Sequence, residues 1–485
     1  MHMRHLVLAA VGRLATVSLL SACAVGPDFK QPAAPPTDQY TAGEEPRATA
    51  AAPGEAGAVQ HFVSGGLMPD RWWESFHNDA LNALVEEALA HSPTVLQARA
   101  RLKEAQEDLT AQSRGTLSPA FDAQLGITQQ KINPAAFGFP QIPPSPPFTL
   151  YNAQVNVSYT LDAFGGVRRM IEGARAQSEY QSYETEAAEL TLAANVVAAA
   201  IRQADLEAQI DYTERLLEAQ GRQVAISEAR YRAGGIALED LENQRNQLEQ
   251  LRATLPALKA QRQQVDHQLA VYTGKPPAAA AVARLKLAEL QLPEELPVTL
   301  PSDLVRRRPD VRASEALWHQ AAANVGVATA NLFPNLTISG YAGSDTTKAS
   351  DLVNSFNVWS IGAKLLQPIF HGGELRAKQR SAVAAYDAAA QAYEQTVLES
   401  LQQVADSLRI LEADALALQA RALASEQSAA SYTIAKRRFD VGGISELTLL
   451  DARRQDLQSA LDRSRAEAQR FSDTVALLHA VAGRV

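Results

Sequence analysis

The chain has 485 residues, of which 46% are hydrophobic and 20% charged, with a net charge of −9. An acidic balance argues against a broad nucleic-acid-binding surface, and a single cysteine excludes an internal disulfide. Only 6% of residues are aromatic while Ala, Leu and Gln abound, which favours long helices over one large globular core.

Residues 1–22 read as a processing segment. Arg4 precedes a mainly apolar run that Leu20-Ser21-Ala22-Cys23 closes. That order fits a bacterial lipoprotein signal cleaved before Cys23, whose thiol then carries lipid. An ordinary secretory leader is the alternative. Ala24 stands where an inner-membrane retention signal would place Asp, so sorting to the outer membrane is expected. Beyond that covalent lipid no cofactor is expected. Residues 23–62 are rich in Pro and Ala and should run extended over a surface. After the leader, no stretch of 18 uninterrupted apolar residues marks a transmembrane helix.

The rest is a duplication, with one structural repeat at 63–275, a linker at 276–300 and a second repeat at 301–485. Tyr231-Arg232-Ala233-Gly234-Gly235-Ile236 ends one helical run, and Phe439-Asp440-Val441-Gly442-Gly443-Ile444 ends another. Gly442 lies 208 residues after Gly234, and Gly372 lies 207 after Gly165. The unit is too long for a solenoid repeat.

Each repeat offers two strands. Phe121–Thr128 and Tyr151–Asp162 place apolar residues at odd positions and polar ones at even positions, which predicts strands at about 120–130 and 150–162. The second repeat supplies strands at about 335–343 and 356–366. Such alternation suits a membrane barrel wall with lipid outside and a polar lumen inside. It also suits a soluble sheet packed on a core. Four strands cannot close a barrel, and lipid does not tolerate open edges. The chain is therefore expected to share a barrel with copies of itself: eight strands from two copies, twelve from three. Residues 131–150 and 344–355 read as exposed loops at one end.

Helices complete each repeat. Glu374 to Asp440 contains neither Pro nor Gly, and an apolar seam runs from Val383 through Leu411 to Ala422 at steps of mostly three and four, as in a coiled coil. Val167–Ala233 is its counterpart. Each helix would be about 100 Å long. Return helices from Ile236 to about Thr273 and from Ile444 to about Val481 would reach about 57 Å. The segments Thr94–Leu117 and Pro309–Leu332, about 36 Å each, would stack on them to match the long helix. Pro256 predicts a kink in the first return helix. The hairpin tips then fall at about 231–237 and 439–445, where Gly supplies the positive φ of a tight turn.

These residues resemble a known family. Arg71-Trp72-Trp73-Glu74-Ser75-Phe76, the run Leu300-Pro301-Ser302-Asp303-Leu304-Val305-Arg306-Arg307-Arg308-Pro309-Asp310, Gln367-Pro368-Ile369-Phe370 and Val25-Gly26-Pro27-Asp28-Phe29 are similar to segments of the TolC-like outer-membrane factors. The likeness is greatest to their NodT or OprM-like lipoprotein branch. The resemblance implies a mainly α fold with a membrane β-barrel. Three chains would form a twelve-strand β-barrel and a periplasmic α-helical barrel. It implies a passive exit duct in the outer membrane, served by a periplasmic adaptor and an inner-membrane pump of the resistance-nodulation-division (RND) type. Gly234, Gly235, Ile236, Val441, Gly442, Gly443 and Ile444 fall where adaptors dock. Asp451 falls where the family places an inward carboxylate at the closed end, and Asp240 lies at the first-repeat gate position. Some relatives close the gate with an Asp–Tyr hydrogen bond; here the matching residue is Phe439, leaving Arg437 or Arg438 as partners for Asp240. No catalytic, phosphate-binding or metal motif is evident, so an enzyme is not expected. The competing readings are a duct serving another class of exporter, a periplasmic adaptor lipoprotein and a structural coiled coil.

Overall fold

The computed structural model describes residues 24–66, 68–279 and 283–483; the leader and Cys23 lie outside the described residues. In chain order the main elements are β1 (His61–Ser64), α1 (Asp79–His91), α2 (Pro93–Leu117), β2 (Ala120–Gln130), β3 (Phe148–Leu161), α3 (Gly166–Arg232) and α4 (Leu238–Tyr272). The second half carries β4 (Glu295–Val298), α5 (Pro301–Arg307), α6 (Pro309–Ala330), β5 (Asn335–Thr346), β6 (Val358–Leu366), α7 (Glu374–Asp440) and α8 (Glu446–Val481). The duplication is plain in the lengths: α3 and α7 have 67 residues each, α4 has 35 and α8 has 36.

The chain divides into two compact units. The first comprises the described part of Met1–Gln31 with Leu102–Gln181 and Ser314–Tyr393. Its centre is an antiparallel sheet of order β2-β3-β5-β6. The register sets Phe121 opposite Val157, Val155 opposite Ala342, Leu336 opposite Leu365 and Ala342 opposite Trp359. One face is thus apolar across all four strands, and it is bare: Leu125 is 78% exposed and Ile361 75%. The opposite face is polar, with Gln154 Nε2 donating to Asp345 Oδ1 at 3.2 Å and the hydroxyls of Thr160 and Thr337 bonded at 3.3 Å. The outer edges of β2 and β6 have no neighbour in the sheet. Among the described residues no helix is long and apolar enough to cross a membrane. The predicted strands are all present, β3 starting at Phe148 and β5 running on to Thr346.

The second unit comprises Pro32–Arg101, Ser182–Ala313 and Glu394–Val485. Its core gathers Trp72, Phe76, Leu81, Val85, Ile201, Leu269, Leu296, Leu408, Phe471 and Leu478. A two-stranded parallel sheet, β1 on β4, joins residues 234 positions apart, such as His61 and Glu295. The sequence reading contained no such pair, because four-residue strands are too short to show a period. Asn78 caps α1 by accepting from Leu81 N–H at 2.9 Å, and Ser445 caps α8 through Thr448 N–H at 3.2 Å; each satisfies a donor that the first helical turn leaves free. α4 runs beside α3 through Lys259–Glu214 and Arg262–Glu207, and α8 beside α7 through Arg421–Asp462. Pro256 lies within α4 without ending it. Gly274 closes α4 at φ +72, where a Cβ would stand 2.5 Å from the His91 carbonyl oxygen. The end of α4 therefore abuts the end of α1, one residue before α2 starts.

Arg308 shows what the arginine-rich run does. Its side chain is 7% exposed and is anchored by Asp310, Nε to Oδ1 at 2.9 Å. Its Nη1 donates to the carbonyls of Ala480 at 3.0 Å and Ser400 at 3.4 Å, and Nη2 donates to Gln403. One guanidinium thus ties α7 to the end of α8, a use of the planar five-donor fork that Lys cannot reproduce.

Candidate gate and hairpin tips

The two tips close by the same turn. Gly234 takes φ +73 and Gly442 φ +76. Gly235 N–H donates to the Arg230 carbonyl at 2.7 Å, and Gly443 N–H to the Arg438 carbonyl at 2.7 Å. This is the Schellman closure of a helix C-terminus, and it requires a left-handed residue where Gly carries no Cβ penalty. Around the turns, Val441 is 83% exposed, Tyr231 and Phe439 are exposed, and Ile236 and Ile444 are half-buried. Each tip is an apolar knob on a polar shaft.

Between the tips and the body, the first hairpin is tied to the second. Gln223, buried on α3, donates through Nε2 to Asp451 Oδ1 on α8 at 2.6 Å. One residue earlier, Arg222 Nε meets Glu446 Oε1 at 2.6 Å. Arg453 pairs with Asp456 at 2.8 Å and lies 4.8 Å over the Tyr432 ring, a cation–π contact between α8 and α7. In the first hairpin, Arg245 bridges Glu228 at 2.6 Å and Glu242 at 2.9 Å. The hydrogen bond from Arg245 holds the Glu228 carboxyl below its usual range.

The structure therefore gives Asp451 a partner from the other hairpin. It does not bring Asp240 to Arg437 or Arg438 within one chain: all three are exposed, and among the described residues the ion pairs of this region are those of Arg222, Arg245 and Arg453. Sequence reasoning missed Gln223, Arg222 and Glu446. They are separated from their partners by 228 and 224 positions, and no period or motif links residues so far apart.

An open sheet with one bare apolar face, in a chain with two duplicated hairpins built on 67-residue helices, defines a protomer of an outer-membrane channel rather than a self-contained globular protein. The chain belongs to the outer membrane efflux protein family, whose model matches residues 84–275 and 300–483. The pyoverdine export outer membrane protein OpmQ of Pseudomonas putida is 28% identical over 420 residues, covering 86% of this chain and 88% of its own. The outer membrane protein OprJ of Pseudomonas aeruginosa is 28% identical over 478 residues, covering 98% and 95%. The solved outer-membrane channel OprN superposes with a TM-score of 0.80 at 28% identity, covering 95% of this chain and 99% of that one. The protein is thus an outer-membrane exit duct for efflux that extends into the periplasm, and its family is one of transport channels.

Proposed function

We propose that three copies of this chain form the outer-membrane end of a tripartite efflux system, conducting drugs or other small toxic compounds delivered by an RND-type inner-membrane pump through a periplasmic adaptor. The observation that carries this is the four-strand sheet, apolar and exposed on one face and open at both edges. In lipid those edges must be paired. Eight strands from two copies leave an interior filled by side chains; twelve from three leave room for a lumen. Lipid on Cys23 anchors each chain as well.

In this reading the turns at Gly234-Gly235-Ile236 and Val441-Gly442-Gly443-Ile444 receive the adaptor, their exposed apolar residues supplying the contact. Asp451 of three chains forms a carboxylate ring that narrows the duct and favours cations. Asp240, Phe439, Arg437 and Arg438 line the same constriction, where Asp240 pairs with an arginine of a neighbouring chain. The test is electron microscopy of the detergent-purified protein together with conductance in a planar bilayer. A trimer that conducts poorly until its tips are loosened supports the reading. A monomeric rod without channels overturns it and returns the adaptor reading.

A further inference from the structure

The residues following Cys23 carry a second structural message. Val25-Gly26-Pro27-Asp28-Phe29 has too few apolar side chains to form a core of its own, yet it is held at four polar atoms and by the Phe29 ring. Val25 N–H donates to the Phe164 carbonyl at 3.1 Å. Arg169, whose side chain is 5% exposed, donates to the carbonyls of Val25 at 3.2 Å and Gly26 at 3.4 Å, and to Asp28 Oδ1 at 2.6 Å. The same guanidinium is held from behind by Glu172 at 2.8 Å, and Glu172 in turn contacts His319 Nε2 at 2.9 Å. Phe29 stacks on the His319 ring, centroids 4.5 Å apart and planes 15° apart, and meets the edge of Trp318 at 5.5 Å.

Glycines make the seat. At Gly165, φ +78, a Cβ would stand 2.6 Å from Ala24 Cα. At Gly26, φ +100, it would stand 2.4 Å from Gly326 Cα. At Gly326 it would stand 2.6 Å from Arg169 Cγ. Backbone passes backbone at two points, so a side chain at Gly165 or Gly26 would push the segment off its seat, and one at Gly326 would displace the Arg169 side chain that holds it.

We propose that Gly165, Arg169 and Gly326 form a receptor for the segment Ala24–Phe29, which fixes the point at which the acyl chains on Cys23 enter the periplasmic leaflet of the outer membrane. The inference rests on the lipidation of Cys23 proposed above. Ala24 sits against Gly165, four residues past the end of β3. Cys23 directly precedes Ala24 in the sequence. Undocked, residues 24–31 would let the lipid wander up to about 28 Å. Docked, the lipid enters beside the strand ends and holds the sheet at a set depth. Arg169 is in this sense a positioning residue for the anchor.

The test uses outer membranes containing the full-length protein, labelled with radioactive palmitate and digested with trypsin. Lys30 directly follows the docked segment and is exposed; Lys131, in the loop after β2, serves as an internal control. Arg169→Ala is expected to keep its palmitate label and its rate of cleavage at Lys131, while cleavage after Lys30 rises about tenfold. Arg169→Lys should fall between, keeping the charge and losing the fork. Gly26→Ala changes only the docked segment and should release Lys30 even if Arg169→Ala fails to assemble. Equal Lys30 cleavage in the parent and in Gly26→Ala and Arg169→Ala overturns the receptor. A parent chain without label overturns lipidation at Cys23 alone, since the differential cleavage would still report the dock.

Discussion

Removing Arg222 and Gln223 together should open the periplasmic end of the duct. Arg222–Glu446 joins side chains 68% and 34% exposed, so solvent screening leaves it about 0.2–1 kcal/mol. Gln223 is buried and donates to a carboxylate at 2.6 Å. Bonds to charged groups contribute about 1.5–3 kcal/mol, and the exposure of Asp451 puts this one at the lower end. Each chain thus holds its two hairpins together by about 2 kcal/mol. If three chains open as one, the double variant shifts the closed state by about 6 kcal/mol, on the order of 10⁴-fold. If each opens alone, the shift is roughly 30-fold. The assay is single-channel conductance in planar bilayers, with sensitivity of intact cells to a large antibiotic as a second reading. Because the two contacts are adjacent, a double-mutant cycle with Asp451→Asn should show non-additive effects. An Arg222→Ala/Gln223→Ala trimer that conducts like the parent, in correctly assembled yield, refutes the role of these contacts in closure.

Three further outcomes are expected. Leu125→Arg places a charge on the bare apolar face and should cost about 2–4 kcal/mol near the bilayer midplane; membrane-inserted trimer on unheated gels should fall, whereas Gln124→Arg on the polar face should insert normally. Arg308→Ala removes a buried cation together with its donors to the Ala480 and Ser400 carbonyls, a loss of about 1–3 kcal/mol, to be seen as earlier unfolding in urea, with Arg308→Lys rescuing only part. Burial, then a shared hydrogen bond with Asp473, push the Asp414 carboxyl from 3.8 up to about 7. The folded chain keeps this proton while the unfolded chain loses it, so stability should fall as pH rises from about 4 to 7 and level off above. Asp414→Asn should flatten that part of a pH-dependent melting curve; an unchanged slope would contradict the assignment.

The strands were legible because lipid and lumen impose a strict period of two: Phe121, Leu125 and Ile127 face one side whatever the rest of the chain does. The long helices were legible because nothing between Glu374 and Asp440 breaks them, and the tips because Gly-Gly recurs at one offset. What stayed hidden depends on pairs distant in sequence. β1 and β4 are too short to carry a period. The Gln223–Asp451 contact and the anchoring of Arg308 on α7 and α8 are set by helix packing, which neither local propensity nor charge pattern encodes. The Val25–Phe29 segment was read only as running extended over a surface, because the glycines and the arginine that hold it lie more than 130 positions away.

The unpaired edges of β2 and β6 have a genetic corollary. In a ring of three, each seam joins β2 of one chain to β6 of the next, a head-to-tail contact that closes only when every member is sound. A chain with a damaged edge that still folds would therefore enter rings and spoil them. In a cell making intact and damaged chains equally, only about one ring in eight would be wholly intact. Such an allele would act dominantly, sensitising cells that still carry a good copy.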